Sequence, residues 1–145
     1  MAEAPNCPET GQPMVRGVRP DTVAYKGRTR TIMMPGWYCD ASGESIHTRD
    51  DMKVSDRALA DLKAEVEGVA SPSEVARVRK VLKLTQVQAS RVFGGGPRSF
   101  QKYESGEVRT TRTMTLALRM AEKHPRDILQ MAAEMDEKER GSQQG

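Results

Sequence analysis

Aromatic residues make up only 4% of this 145-residue chain and hydrophobic residues 37%. Rings so sparse exclude a large core and leave room for one ordinary domain or two small ones. No apolar run approaches membrane-spanning length, and no charged-then-apolar stretch opens the chain, so the expectation is a cytoplasmic protein without a membrane partner. Cysteines number two, enough for one bridge between Cys7 and Cys39, and a reducing cytosol argues against it as a permanent link. The two histidines lie far apart. With no Ser-His-Asp set, no paired carboxylates on a shared face, no P-loop and no metal cluster, an enzyme is not expected.

What the chain does have is an uneven charge. The net charge is +3, but residues 71–126 carry twelve Lys or Arg against four Asp or Glu, a net of +8. Residues 1–70 come to −2 and residues 127–145 to −3. Basic charge confined to one segment is the pattern expected where phosphate contacts supply affinity.

That segment, Ser73 to Gly106, reads as three short helices with two tight joints. Val75, Val78 and Leu82 stripe the first helix, with Ser73 placed to cap it and Arg77, Arg79, Lys80 and Lys83 on the other face. Thr85 caps a second helix and leaves Gln86 in its first turn to reach a phosphate. Ala89 and Phe93 point inward, and Ser90 stays small where another helix crosses. Gly94-Gly95-Gly96 ends that helix abruptly. Pro97 then opens a third helix that turns Phe100 and Tyr103 inward, so that with Phe93 they form its core. Arg98, Gln101, Lys102 and Ser105 face out. Arg98 and Lys102 lie one turn apart, where a recognition helix meets base edges, and only Arg has the planar fork for bidentate contact with guanine. The segment looks like the Cro/repressor type of helix-turn-helix. Arg98 and Lys102 are therefore expected to contact bases. Arg77, Arg79, Lys80, Thr85, Gln86, Ser99, Gln101 and Arg112 are expected to hold phosphates.

Upstream, Val23–Tyr25 and Thr29–Met33 flank Lys26-Gly27-Arg28 as a hairpin, and Gly36-Trp37-Tyr38 leads into a third extended piece. Cys7 and Cys39 each start a segment where a zinc module would have C-x-x-C, but the fourth positions hold Thr10 and Ser42. Neutral hydroxyls are poor zinc ligands, and the spacing of Asp40 and His47 fits neither segment, so zinc is not expected. Two small thiols packed like apolar side chains is the preferred reading. Residues 50–67 form a linking helix striped by Val54, Ala58, Leu62 and Val66, closed by Gly68, and Val69-Ala70-Ser71-Pro72 reads as a flexible linker. Beyond Gly106, Thr111 or Thr113 starts a helix with Met114, Ala117, Leu118 and Ala121 on one face. His124-Pro125 ends it, and Ile128, Ala132 and Met135 mark a last helix. Residues 137–145 read as a flexible tail. The fold class is therefore α+β: a β-rich N-terminal domain (1–68), then an all-α domain of five helices (73–136).

Taken together, Gly-x-Tyr-Cys, the linking helix, Phe-Gly-Gly-Gly, Phe-x-x-Tyr-Glu-x-Gly and Lys-His-Pro resemble the MqsA antitoxin family over roughly residues 6–130. The resemblance implies an N-terminal domain that masks a ribonuclease toxin of the MqsR kind. It implies a C-terminal domain that forms a homodimer and binds a palindromic operator to repress its own operon. The family's base-contacting positions fall on Arg98 and Lys102. Its four zinc cysteines, structural in the family, fall on Cys7, Thr10, Cys39 and Ser42, so half the ligand set is missing. Two alternatives stay open: a stand-alone regulator without a toxin, and a thiol-switched regulator using Cys7 and Cys39.

Overall fold

The computed structural model describes residues 4–144; the first three residues and Gly145, which fall in the expected N-terminal domain and tail, lie outside the described residues. The chain divides into two compact units between Leu62 and Lys63.

The first unit is built on a long hairpin. Strands β1 (Val15–Tyr25) and β2 (Arg28–Tyr38) pair antiparallel from Val15 opposite Tyr38 to Tyr25 opposite Arg28. Lys26 and Gly27 form the two-residue turn, both with positive φ (47° and 78°), which matches the twist of the flanking strands. Gly36 to Tyr38 belong to β2 and do not form a separate piece. The third strand, β3 (Ser45–Ile46), pairs instead with Trp37 and Tyr38. Pro35 does not interrupt β2, and its carbonyl lies 2.8 Å from Nδ1 of His47. Helix α1 (Arg49–Glu67) follows, and the unit boundary falls inside it. Thr48 and Asp51 cap its start reciprocally: the Thr48 hydroxyl accepts from the Asp51 N–H, and the Asp51 carboxylate accepts from the Thr48 N–H. Asp51 also receives a bidentate contact from Arg16 of β1, one arm at 2.9 Å. Of the expected stripe on α1, Leu62 is fully buried while Val54 stays largely exposed.

The second unit holds five helices: α2 (Pro72–Val81), α3 (Gln86–Phe93), α4 (Ser99–Ser105), α5 (Arg112–Lys123) and α6 (Pro125–Gln144). Val75, Val78, Leu82, Ala89, Phe100, Leu118 and Ala121 form its buried core, with Phe93, Tyr103, Met114 and Ile128 packed around them. At these positions the apolar periodicity read from the sequence coincides with burial. The α+β class, with a β-rich beginning and five helices after the linking helix, is the one expected.

Four further local expectations are corrected. The cap of α2 is Ser71, whose hydroxyl accepts from the Glu74 N–H at 3.1 Å, because Pro72 takes the first helical position, which needs no N–H. Residues 69–72 are consequently no flexible linker. Ala70 is buried, its N–H donating to Thr115 Oγ1 at 2.9 Å and its carbonyl accepting from Thr110 Oγ1 at 2.7 Å. Pro97 precedes α4 in a turn closed by the Ser99 N–H on the Gly96 carbonyl, so the helix starts at Ser99. Residues 137–144 continue α6 rather than form a tail, because Glu, Lys and Arg are good helix formers and the preceding turns supply the nucleus.

Candidate functional site

The joint between α3 and α4 decides what the cationic segment presents. Thr85 caps α3 in a reciprocal box with Gln88, a Thr-x-x-Gln signature open to reading in the sequence. Three successive glycines then take positive φ, 84°, 97° and 99° at Gly94, Gly95 and Gly96, a run that side chains would strain. Helix α4 has no side-chain cap of its own. Ser90 of α3 supplies one instead: its hydroxyl accepts from the Phe100 N–H at 3.1 Å while donating to the Gln86 carbonyl at 2.9 Å. A small residue here both lets the helices approach and satisfies an orphan donor.

Phe100 is fully buried, 5.5 Å from the Phe93 ring and 5.8 Å from Tyr103, centroid to centroid. These three rings fix the inner face of α4. On the outer side Arg98, Gln101 and Lys102 are exposed, and the Lys102 N–H donates to the Arg98 carbonyl, which sets the two residues one helical turn apart. Among the described residues neither Arg98 nor Lys102 enters an ion pair. Lys80, Thr85 and Arg112 are exposed as well, and Gln86 is partly exposed.

Two members of the expected phosphate set are corrected. Arg79 is spent inside the fold: its Nε and Nη2 donate to the two Glu104 carboxylate oxygens at 2.8 and 2.9 Å, and its Nη1 donates to the Leu84 carbonyl at 3.0 Å. With side chains 17% and 9% exposed, this pair ties α2 to α4. Ser99 is buried and its hydroxyl donates to the Gly94 carbonyl at 3.2 Å, so it braces the glycine joint. Arg77 is exposed yet engaged, donating twice to Glu122 of α5 at 3.0 and 3.1 Å. Glu104 enters the sequence reading only as the Glu of Phe-x-x-Tyr-Glu-x-Gly, without a role as partner of Arg79. Its signal was an acidic residue on the inner side of a helix in a strongly basic segment.

In the first unit, Cys7, Thr10, Cys39 and Ser42 do converge. Cys7 Sγ lies 3.2 Å from Ser42 Oγ, and Cys39 Sγ 3.6 Å from Thr10 Oγ1. Both cysteines are free and buried, packed with Met14 against Trp37 and Ile46. Hydrogen bonds from Ser42 and then Thr10 hold the Cys7 thiol down at about 6. A closed zinc site takes four Cys or His donors. Two thiols and two hydroxyls already committed to one another do not fit it, and among the described residues no group of three or more His, Cys, Asp or Glu side chains is placed to hold a metal ion. Among the same residues no helix is long and apolar enough to cross a membrane.

Comparison with known proteins agrees with this architecture. Residues 4–132 match the family model described as the antitoxin component of a bacterial toxin-antitoxin system, MqsA. Antitoxin MqsA of Escherichia coli (strain K12) is 36% identical over 126 residues, covering 82% of this chain and 93% of the relative. A match across both units, from the cysteine segments to the start of α6, is more than a shared helical module would give, and the chain belongs to the MqsA antitoxin family.

Proposed function

We propose that this antitoxin represses its own operon by laying α4 in the DNA major groove, and that its first unit masks a ribonuclease toxin. The observation that carries the DNA reading is the two-sidedness of α4: a ring-packed inner face and, one turn apart on the exposed side, Arg98 and Lys102 without ion-pair partners among the described residues. Arg98 donates through its planar fork to a guanine, and Lys102 adds a point charge beside it. Lys80, Thr85, Gln86, Gln101 and Arg112 hold phosphates and set register without choosing sequence. The protein acts as a homodimer on a palindrome, whose half-sites lie about one helical turn, ~34 Å, apart. The net charge of +8 on residues 71–126 supplies the salt-sensitive part of the affinity.

The test is Arg98→Ala on the operator and on random duplex of equal length, measured at two salt concentrations. The operator should lose ~1 to 3 kcal/mol and random DNA very little. Equal losses on both would make Arg98 a phosphate contact and refute the base-reading role. For the toxin, expressing the cotranscribed neighbour alone should arrest growth, and co-expressing this chain should restore it and copurify with the neighbour. Growth that is unaffected by the neighbour would leave a regulator without a toxin.

A further inference from the structure

The segments Cys7 to Gly11 and Cys39 to Gly43 share one backbone geometry. In each, the glycine N–H donates to the cysteine carbonyl, at 2.8 and 2.9 Å. In each, the cysteine N–H donates to the carbonyl five residues on, Gln12 at 2.7 Å and Glu44 at 3.0 Å. Both glycines have left-handed φ, 72° and 77°. The repeated turn brings its first and fourth side chains to the same side, the service a C-x-x-C knuckle performs for a metal.

Here the four side chains bond across the two turns: the first residue of one pairs with the fourth of the other, Cys7 with Ser42 and Cys39 with Thr10. Each contact links residues about thirty positions apart, and together they close the same loop that four thiolates on one ion would close. Met14, Trp37 and Ile46 cover the cluster, adding apolar burial to the hydrogen bonds. We propose that this crosswise thiol–hydroxyl quartet replaces the structural metal of the family, so that the two turns lock without zinc, while their backbone keeps ligand geometry. The site is then zinc-independent as it stands and becomes a zinc site once thiols occupy positions 10 and 42.

The experiment uses the full chain, produced with zinc in the medium and purified under reducing conditions. Elemental analysis should find well under one zinc per chain, and excess chelator should leave the melting temperature unchanged. About one zinc per chain, or unfolding of the first unit on chelation, would overturn the proposal. The paired substitution Thr10→Cys with Ser42→Cys should take up about one zinc per chain and melt higher with zinc than without, with cobalt giving the absorption of a tetrahedral thiolate site. A folded paired variant that ignores zinc would show that the four positions are not in ligand geometry, and would equally overturn it. Ser42→Ala alone should lower the melting temperature by roughly 4 to 8 °C through the lost bond to Cys7. An unchanged melt would remove the quartet's role, and should the paired variant not fold, the native chain's metal content and chelator response decide.

Discussion

Replacing Glu104 by Gln should be among the most damaging single substitutions in the helical unit, although it changes no shape. Glu104 accepts two charge-assisted bonds from Arg79, at 2.8 and 2.9 Å, in a pair only 17% and 9% exposed. A glutamine keeps one acceptor oxygen and turns an NH2 group toward a guanidinium whose intrinsic basicity keeps it charged even after the carboxylate that raised its pKa further is gone. Removing one partner of a buried pair costs about 3 to 5 kcal/mol. Arg79 keeps its bond to the Leu84 carbonyl and some contact with water, which places the cost near the lower bound, ~3 kcal/mol. For a unit of this size that lowers the melting temperature by roughly 12 to 24 °C, read by the loss of far-ultraviolet circular dichroism.

The control is Arg79→Met combined with Glu104→Leu, which removes both charges and fills the space with apolar atoms. It should lie within ~1 kcal/mol of the native chain or above it, because burying the pair costs desolvation that its attraction only roughly repays. The paired variant should also keep the salt dependence of the proposed DNA binding, whereas a phosphate-contacting Arg79 would flatten it when lost. A single substitution that costs under ~1 kcal/mol, or a paired one as damaging as the single, would refute the reasoning.

Three smaller perturbations read other joints. Lys83 holds φ of 58° where α2 ends, with the Lys83 and Leu84 N–H groups donating to the Lys80 and Arg79 carbonyls; Lys83→Gly should therefore stabilise by ~1 kcal/mol in urea titration, and destabilisation would refute the strain. A methyl at Gly36 would sit 2.5 Å from Nδ1 of His47, so Gly36→Ala should expel the ring from its contact with the Pro35 carbonyl, visible as changed His47 ring chemical shifts by NMR, unchanged ones counting against the packing. Asp51 is held well below the usual carboxylate range, first by Arg16 and then by the Thr48 N–H, so its contribution is full above its unfolded pKa of ~3.9 and disappears as pH falls through its lower folded value. Melts of the native chain and Asp51→Asn should accordingly differ at pH 6 and converge on acidification below ~pH 4, and parallel curves would exclude the linkage.

What was legible in the sequence is what is local. The hairpin around Lys26 and Gly27, the Thr85 cap, the glycine joint and the inward Phe100 all follow from residue type and spacing within a few positions. The places that misled are those where a neighbour far along the chain decides. Ala70 looks like linker because nothing adjacent announces Thr110 and Thr115, the two hydroxyls that satisfy its backbone. Gly36 to Tyr38 looks separate because a proline precedes it, yet that proline pairs opposite Val18 while its carbonyl serves His47.

For the same reason the arginines of the basic segment cannot be ranked by spacing alone. Arg77, Arg79 and Arg98 all fall on faces that periodicity marks as outward, and their charge counts equally toward the net of +8. Their availability differs because an acid twenty-five positions beyond Arg79 and one forty-five beyond Arg77 are brought to them by the packing of α4 and α5. Glu104 pins the Arg79 guanidinium inside, which lowers the charge free to meet phosphate, and it also anchors α4, before whose first turn Arg98 stands. In the proposed DNA binding the salt slope should therefore be smaller than twelve cations suggest, because the arginines held by Glu104 and Glu122 displace fewer counterions from the duplex.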